Sequence, residues 1–185
     1  MDNQEKEQEL HQYTPFTHEE FYKRYYVHRV AASTIVLNAE KKLLLVKEIR
    51  RGKYIWGLPG GILERQESLI TGLLREVKEE TNCEIEPYGI LGITNWAGNS
   101  IFKSDTKIQS GFHFILASKY ISGDPKPDGE EVFETEFFSP DDFQELRIHE
   151  SIPLFCKAVE NNKFLPLNIS NYENGDRYRF VFTPF

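Results

Sequence analysis

The pattern of apolar and polar positions predicts a central helix between Ser68 and Asn82. Apolar residues recur there at helical spacing and form one stripe at about 100° per residue, made of Leu69, Ile70, Leu73, Leu74 and Val77. Glu76, Glu79 and Glu80 cluster beside that stripe. We therefore expect a helix with one buried side and one acidic side.

The residues at the two ends of this segment match the chemistry of helix termini. Ser68 is a good N-cap, and Asn82 tolerates the left-handed conformation in which many helices end. Gly72, inside the helix, costs about 1 kcal/mol relative to alanine. Its presence on the acidic side predicts that a side chain would have no room there.

Strand patterns on both sides of the helix predict a sheet. The predicted strands cover residues 28–37, 43–46, 85–94, 109–117 and 132–138. A short helix after Ser139 and a longer one over 149–161, with Leu154 and Phe155 partly inward, complete a domain over 28–160. We expect residues 1–27 to be a frayed lead followed by an aromatic-rich helix, and residues 161–185 to be an extended tail.

Bulk composition limits the function classes. The chain has 185 residues, a net charge of −7 and two cysteines without metal-ligand spacing. Its acidity argues against nonspecific binding of nucleic acid. The N-terminus is polar and no apolar run reaches about 18 residues, so we expect neither a secretory signal nor a membrane span, and a cytoplasmic location.

The glutamates are the first candidate chemistry. Carboxylates three and four residues apart on a helix repel one another, and a hard divalent cation such as Mg²⁺ or Mn²⁺ would offset the repulsion. A solvated charged face is the alternative. The preceding loop, Trp56 to Gly61, favours a site because its paired glycines permit close approach of the backbone.

Taken together, these residues resemble the signature of the Nudix hydrolases. The matching positions extend over 23 residues and are Gly61, Glu67, Arg75, Glu76, Val77, Glu79, Glu80 and Cys83. Asn82 stands where the family has glycine, a conformationally neutral departure. The resemblance implies an α/β/α sandwich with a mixed β-sheet between helices.

The resemblance also implies roles for the site residues. Glu76, Glu79 and Glu80, with the carbonyl of Gly60, would hold Mg²⁺ or Mn²⁺. Arg75, pointing away from the metal, would pair with Glu67 to support the loop at Gly61. The attacking water would lose its proton to Glu76 or to Glu131, with Glu130 as the second choice for that later position.

The resemblance further implies hydrolysis of a pyrophosphate bond in a nucleoside diphosphate linked to another group. We predict a nucleoside di- or triphosphate, including oxidised guanine nucleotides, with ADP-ribose or a nucleotide sugar as the alternative. A non-catalytic nucleotide sensor is a further alternative. A predicted loop ahead of Trp56 carries Lys47, Arg50, Arg51 and Lys53. Arg50, Arg51 and Lys53 are predicted contacts for substrate phosphate, with solvated loop charges as the alternative. Trp96, in a predicted turn, is a predicted contact for the base, with packing at the rim as the alternative.

Two further features are left open by the sequence. The aromatic residues before residue 27 fit packing on the domain, a homodimer contact or stacking on a base. His113 lies in a predicted central strand between Phe112 and Phe114. We interpret it as a structural histidine, with a catalytic role as the alternative.

Overall fold

The computed structural model of the chain describes residues 29–50, 52–98, 109–172 and 175–180, and the predicted N-terminal extension and Arg51 lie outside them. Two α-helices lie in the described part: α1 (Leu69–Thr81) and α2 (Ile152–Glu160). Its strands are β1 (Arg29–Leu37), β2 (Leu43–Arg50), β3 (Lys53–Gly57), β4 (Gly60–Ile62), β5 (Glu84–Gly98), β6 (Gln109–Ser122), β7 (Val132–Phe138), β8 (Leu165–Tyr172) and β9 (Gly175–Phe180). Within these ranges, neither α-helix has the length and apolar character that a membrane span requires.

The strands form a mixed sheet in the order β3-β2-β1-β6-β5-β8-β9. β1 and β6 are parallel, and the other pairs are antiparallel. β1 pairs with β2 only at Leu37 and Leu43, whereas its other half pairs with β4 over residues 31–33. β1 and β2 therefore diverge, and the chain from β3 to β4 lies between them.

Helix α1 packs on one face of the sheet through its predicted apolar stripe. Leu73 and Val77 have no exposed surface, and Ile70 is 5% exposed. They pack with residues of β1, β2, β5 and β6, among them Val36, Leu44, Ile90 and Leu116. Leu74 is 38% exposed, so the prediction that it belongs to the buried stripe is wrong.

Both predicted caps of α1 are confirmed. The Ser68 hydroxyl accepts a hydrogen bond from the Thr71 amide at 3.1 Å. Asn82 adopts the left-handed conformation at φ 58°, and its amide donates to the carbonyl of Lys78. The asparagine thus ends the helix in the geometry that favours glycine.

Helix α2 covers the opposite face and completes the predicted sandwich. Ile152 and Cys156 are buried there with Ile35, Leu45 and Trp56. The helix begins three residues later than predicted, after Ser151, with Pro153 in its first turn. Leu154 is 68% exposed, which contradicts the predicted inward orientation.

Several strands are longer than their sequence patterns indicate. β2 runs on to Arg50, so Lys47 and Arg50 lie in a strand and not in a loop. β5 continues to Gly98, which places Trp96 in a strand where a turn was predicted. Pairing with a neighbouring strand satisfies backbone groups irrespective of side-chain polarity, so it extends strands beyond their apolar pattern.

The predicted C-terminal tail contains part of a hairpin. β8 pairs with β5 through Pro166 and Leu165, and β9 pairs along β8. Residues 181–185, which include the predicted extended positions Phe182 and Phe185, lie outside the described residues. The hairpin adds to the edge of the sheet next to β5.

Candidate active site

The loop between β3 and β4 is fixed against β1. Gly60 has φ 132°, and a Cβ there would lie 2.2 Å from the carbonyl oxygen of Ala32 and 2.6 Å from the Cα of Ser33. The carbonyl of Pro59 accepts a hydrogen bond from the Thr34 amide at 3.1 Å. Only glycine fits this approach, which explains the first of the paired glycines.

Two glutamates of α1 reach this loop. The amide of Gly60 donates a hydrogen bond of 2.7 Å to Oε2 of Glu80. The carboxylate of Glu76 lies 2.6 Å from the position that a Cβ on Gly61 would take. The second glycine therefore leaves room for a carboxylate, and the loop and the helix form one site.

Arg75 pairs with Glu67 as predicted. Its Nε and Nη2 atoms donate to the two carboxylate oxygens at 2.7 and 2.9 Å. These bonds, together with the backbone amide of Glu64, lower the pKa of Glu67 to about 2. Oε2 of Glu67 also lies 2.9 Å from the place of a Cβ on Gly72, so the expectation of missing room at that glycine is confirmed.

The expectation that Arg75 points away from the metal carboxylates is wrong. Its Nη1 lies 3.1 Å from Oε1 of Glu76 and 2.9 Å from Oε2 of Glu79. An arginine has donors in three directions, so the guanidinium binds Glu67 and these two carboxylates together. Arg75 is therefore the counter-charge of the cluster as well as the support of the loop.

The acidic loop before β7 faces the same cluster. Oδ1 of Asp128 accepts hydrogen bonds from the amides of Glu130, Glu131 and Val132 at 2.8 to 3.2 Å, which fixes the turn. The charge of Glu131 contributes to a raised pKa of Glu76, and that of Asp128 to a raised pKa of Glu80. Of the two predicted candidates, Glu131 is the one whose charge raises the pKa of Glu76.

Glu48 is a residue of the site that the sequence patterns did not indicate. Its charge contributes to the raised pKa of Glu80, and its Oε1 lies 2.7 Å from the place of a Cβ on Gly57. That oxygen has no accessible surface and no aligned hydrogen bond, although Nη2 of Arg50 lies 2.8 Å away. The sequence signal for Glu48 was the alternation of polar and apolar side chains from Glu48 to Arg50, in a segment of β2 that we predicted to be a loop.

Burial raises the pKa of Glu80 to about 8, and the charges of Glu76, Glu48 and Asp128 add to the effect. Burial also raises the pKa of Glu76, against the opposing charge of Arg75. Six described carboxylates act on one another here, and two arginines, Arg50 and Arg75, form ion pairs with them. The cluster has an excess of negative charge around a partly buried centre.

This donor set fits a hard divalent cation. Carboxylate and carbonyl oxygens are the ligands that Mg²⁺ and Mn²⁺ prefer. Within the described ranges, no three Asp, Glu, His or Cys side chains already stand close enough to enclose a metal ion. Glu76 and Glu79 are bonded to Arg75 and Glu80 to Gly60, so an ion would compete with these contacts.

The pH dependence of stability should report the buried state of Glu80. Folding raises its pKa from 4.5 to about 8, so the native state binds one proton more than the unfolded state between those values. Stability without metal should therefore fall as pH rises through that window, relative to Glu80→Gln. The measurement is Tm of both proteins in chelator from pH 5 to 9. Parallel curves would contradict the burial of this carboxylate.

The predicted substrate contacts are brought together only in part. Arg50 ends β2 beside Glu48, and Lys53 begins β3 in the same hairpin. Trp96 lies in β5, on the far side of β6 and β1 from that hairpin, and its side chain is outside the described set. Lys47 contacts Glu134 at 2.7 Å and lies over the rings of Tyr54 and Trp56.

Comparison with known proteins adds to this geometry. A 61-residue segment is 38% identical to phosphatase NudJ of Escherichia coli K12, covering 33% of this chain and 40% of NudJ. The chain thus spans less than half the length of this curated relative. Among solved structures, a NUDIX hydrolase from Nitrosomonas europaea is 27% identical with a TM-score of 0.62, over 80% of this chain and 99% of that one.

A second solved structure shares the fold. It is an ADP-ribose pyrophosphatase from Streptococcus suis, 21% identical with a TM-score of 0.54 over 72% of this chain and 92% of that one. The model of the NUDIX domain matches residues 27–157, which include the loop, α1 and the acidic loop before β7. The chain therefore belongs to the Nudix hydrolase family, as the signature between Gly61 and Cys83 predicts.

Proposed function

We propose that this protein hydrolyses a pyrophosphate bond in a nucleoside diphosphate linked to another group, using Mg²⁺ or Mn²⁺. The observation that carries the proposal is the junction of the glycine loop with α1. There, Glu80 binds the Gly60 amide and the Glu76 carboxylate fills the space left by Gly61. A partly buried carboxylate cluster with excess negative charge favours a divalent cation and, through it, an anionic diphosphate.

The residues of the cluster have two proposed roles, metal binding and proton transfer. Glu76, Glu79 and Glu80, with the carbonyl of Gly60, would hold the ion, which when bound neutralises phosphate oxygens and acidifies a bound water. Glu76 or Glu131 would accept the proton of the attacking water. The charge of Glu131 contributes to the raised pKa of Glu76, which supports this pair of candidates.

Arg75 and Glu67 keep these groups in place. The bidentate ion pair ties the segment before α1 to the middle of the helix, and the same guanidinium orients Glu76 and Glu79. Arg50, which pairs with Glu48 at the end of β2, is 57% exposed and is the proposed contact for substrate phosphate. Arg51, Lys53 and Trp96 remain proposed substrate contacts.

The proposed substrate is a nucleoside di- or triphosphate, including oxidised guanine nucleotides. ADP-ribose or a nucleotide sugar is the second candidate. The glutamates that would bind metal are present, which favours turnover over a sensor role. We also propose a cytoplasmic protein, with a homodimer as an open alternative.

The proposal is tested by a substrate panel with Mg²⁺, Mn²⁺ or chelator. It includes nucleoside triphosphates, oxidised guanine nucleotides, ADP-ribose, NADH, diadenosine polyphosphates and UDP-glucose, with release of nucleoside monophosphate and of phosphate or pyrophosphate as the readout. Metal-dependent formation of a nucleoside monophosphate from one group would support the proposal and name the substrate class. Equal rates in metal and in chelator would contradict it.

A further inference from the structure

One polar pair connects β1 and β6, and the proposed mechanism does not use it. Nε2 of His113 on β6 lies 2.9 Å from the hydroxyl of Ser33 on β1. Ser33 is 7% exposed and lies two residues before Ile35 on β1, so both side chains are on the face that α2 covers. The pair therefore lies on the α2 face, beyond the apolar cluster that includes Ile35.

This pair adjoins the glycine loop directly. Ser33 stands opposite Gly60 in the register of β1 and β4, and a Cβ on Gly60 would lie 2.6 Å from the Cα of Ser33. The amide of that glycine is the group that binds Glu80. Three contacts thus connect His113 with the carboxylate cluster, through Ser33 and then Gly60.

The imidazole has unused hydrogen-bonding capacity. It is partly exposed, and its second ring nitrogen has no partner in the described part of the chain. Burial and the nearby charge of Arg50 lower its pKa, so the ring is neutral at neutral pH. A neutral ring offers a donor or an acceptor to an uncharged polar group, whereas Arg50 offers a charge to phosphate. Thr94, exposed and paired with His113 across β5 and β6, adds a hydroxyl beside it.

We propose that His113, held by Ser33, is a specificity-determining residue that hydrogen-bonds the nucleoside part of the substrate. This inference rests on the proposed function and assigns one wall of the same site. The bonded group is neutral and polar, either a sugar hydroxyl or an edge of the base. Without such a contact, the bond to Ser33 would serve only to tie β6 to β1.

Three substitutions separate a substrate contact from a structural tie. His113→Phe removes both polar atoms of the ring. The amide of His113→Gln can replace Nε2 and keep the bond to Ser33, whereas the amide of His113→Asn can replace the nitrogen without a partner. The measurements are Tm, kcat and KM for the best nucleotide of the panel, and the inhibition constant of methylenediphosphonate, which has no nucleoside.

We expect His113→Phe to raise KM by about tenfold with a small change in kcat, as for the loss of one hydrogen bond to a buried partner. Inhibition by methylenediphosphonate should stay unchanged, because that probe occupies only the diphosphate position. His113→Asn should recover KM better than His113→Gln. The opposite order, with the parent KM in His113→Gln and a raised KM in His113→Asn, would overturn the inference.

Substrate pairs then identify the bonded group. If His113→Phe raises KM for ribonucleotides but not for deoxynucleotides, the contact is on the sugar. If it raises KM for nucleotides of one base only, the contact is on the edge of that base. Calorimetry with AMP, GMP, UMP and CMP tests this contact by binding alone, independently of the proposed hydrolysis. Weaker monophosphate binding by His113→Phe would support the contact even if the parent protein turned over no nucleotide, and equal binding would overturn it.

Discussion

Replacing Glu80 with glutamine is expected to lower kcat/KM by about 100-fold to 1,000-fold, the range for removing one preorganised electrostatic group. The amide has the shape of the carboxylate and can still accept the hydrogen bond from Gly60, so the fold should persist. What it loses is the negative charge that the proposed cation requires. The measurement is steady-state hydrolysis of the best panel substrate in Mg²⁺, with Tm recorded in parallel.

The matched control is Glu40→Gln. Glu40 lies in the turn between β1 and β2, is 70% exposed in its side chain and pairs with Lys42 at 2.9 Å. Glu40→Gln removes one negative charge, as Glu80→Gln does, but outside the cluster. Its rate should therefore equal that of the parent. Addition of Mg²⁺ should raise Tm of the parent and of Glu40→Gln, and raise it less in Glu80→Gln. Equal turnover in Glu80→Gln and parent would remove Glu80 from the metal site.

Replacing Leu73 with alanine is expected to lower the free energy of unfolding by about 2 to 5 kcal/mol. Leu73 has no exposed surface and packs from α1 against the sheet within a cluster that includes Val36, Leu44 and Leu116. The substitution leaves a cavity between tightly packed layers, which can relax only in part. Urea unfolding followed by circular dichroism measures the change.

Leu74→Ala is the natural control, since the two leucines are neighbours on the same helix. Leu74 is 38% exposed, so its truncation removes less buried surface and should change stability by much less than that of Leu73. Both substitutions have the same effect on helix propensity, which cancels in the comparison. Equal losses in the two variants would show that the buried face of α1 is assigned wrongly.

The sequence was sufficient to predict α1 and its caps because their determinants are local. Helical spacing, the hydroxyl of Ser68 and the left-handed tolerance of Asn82 all act within a few residues. The same spacing placed Glu76 and Glu80 on one side, and the signature specified Glu67 as the partner of Arg75. Local chemistry also predicted β7 over Val132–Phe138 without error.

Strand ends depend on partners that are distant in sequence. Lys47 and Arg50 are polar, yet β3 and β7 pair with β2 and draw its polar end into the sheet. The same pairing with β6 carries β5 past Asn95 to Gly98. A local sequence pattern does not show which backbone groups a distant strand will pair with. The predicted strands therefore ended where their apolar pattern ended.

The sequence by itself determined the family, the glycine loop and the acidic helix that the loop meets. Only the tertiary structure decided which residues from elsewhere join them. Where β1 and β2 diverge, the register of β1 with β4 sets Ser33 opposite Gly60, and β2 brings Glu48 together with Arg50. These residues come from strands that pair through backbone groups, so their proximity follows from sheet register and leaves no local signal in the sequence.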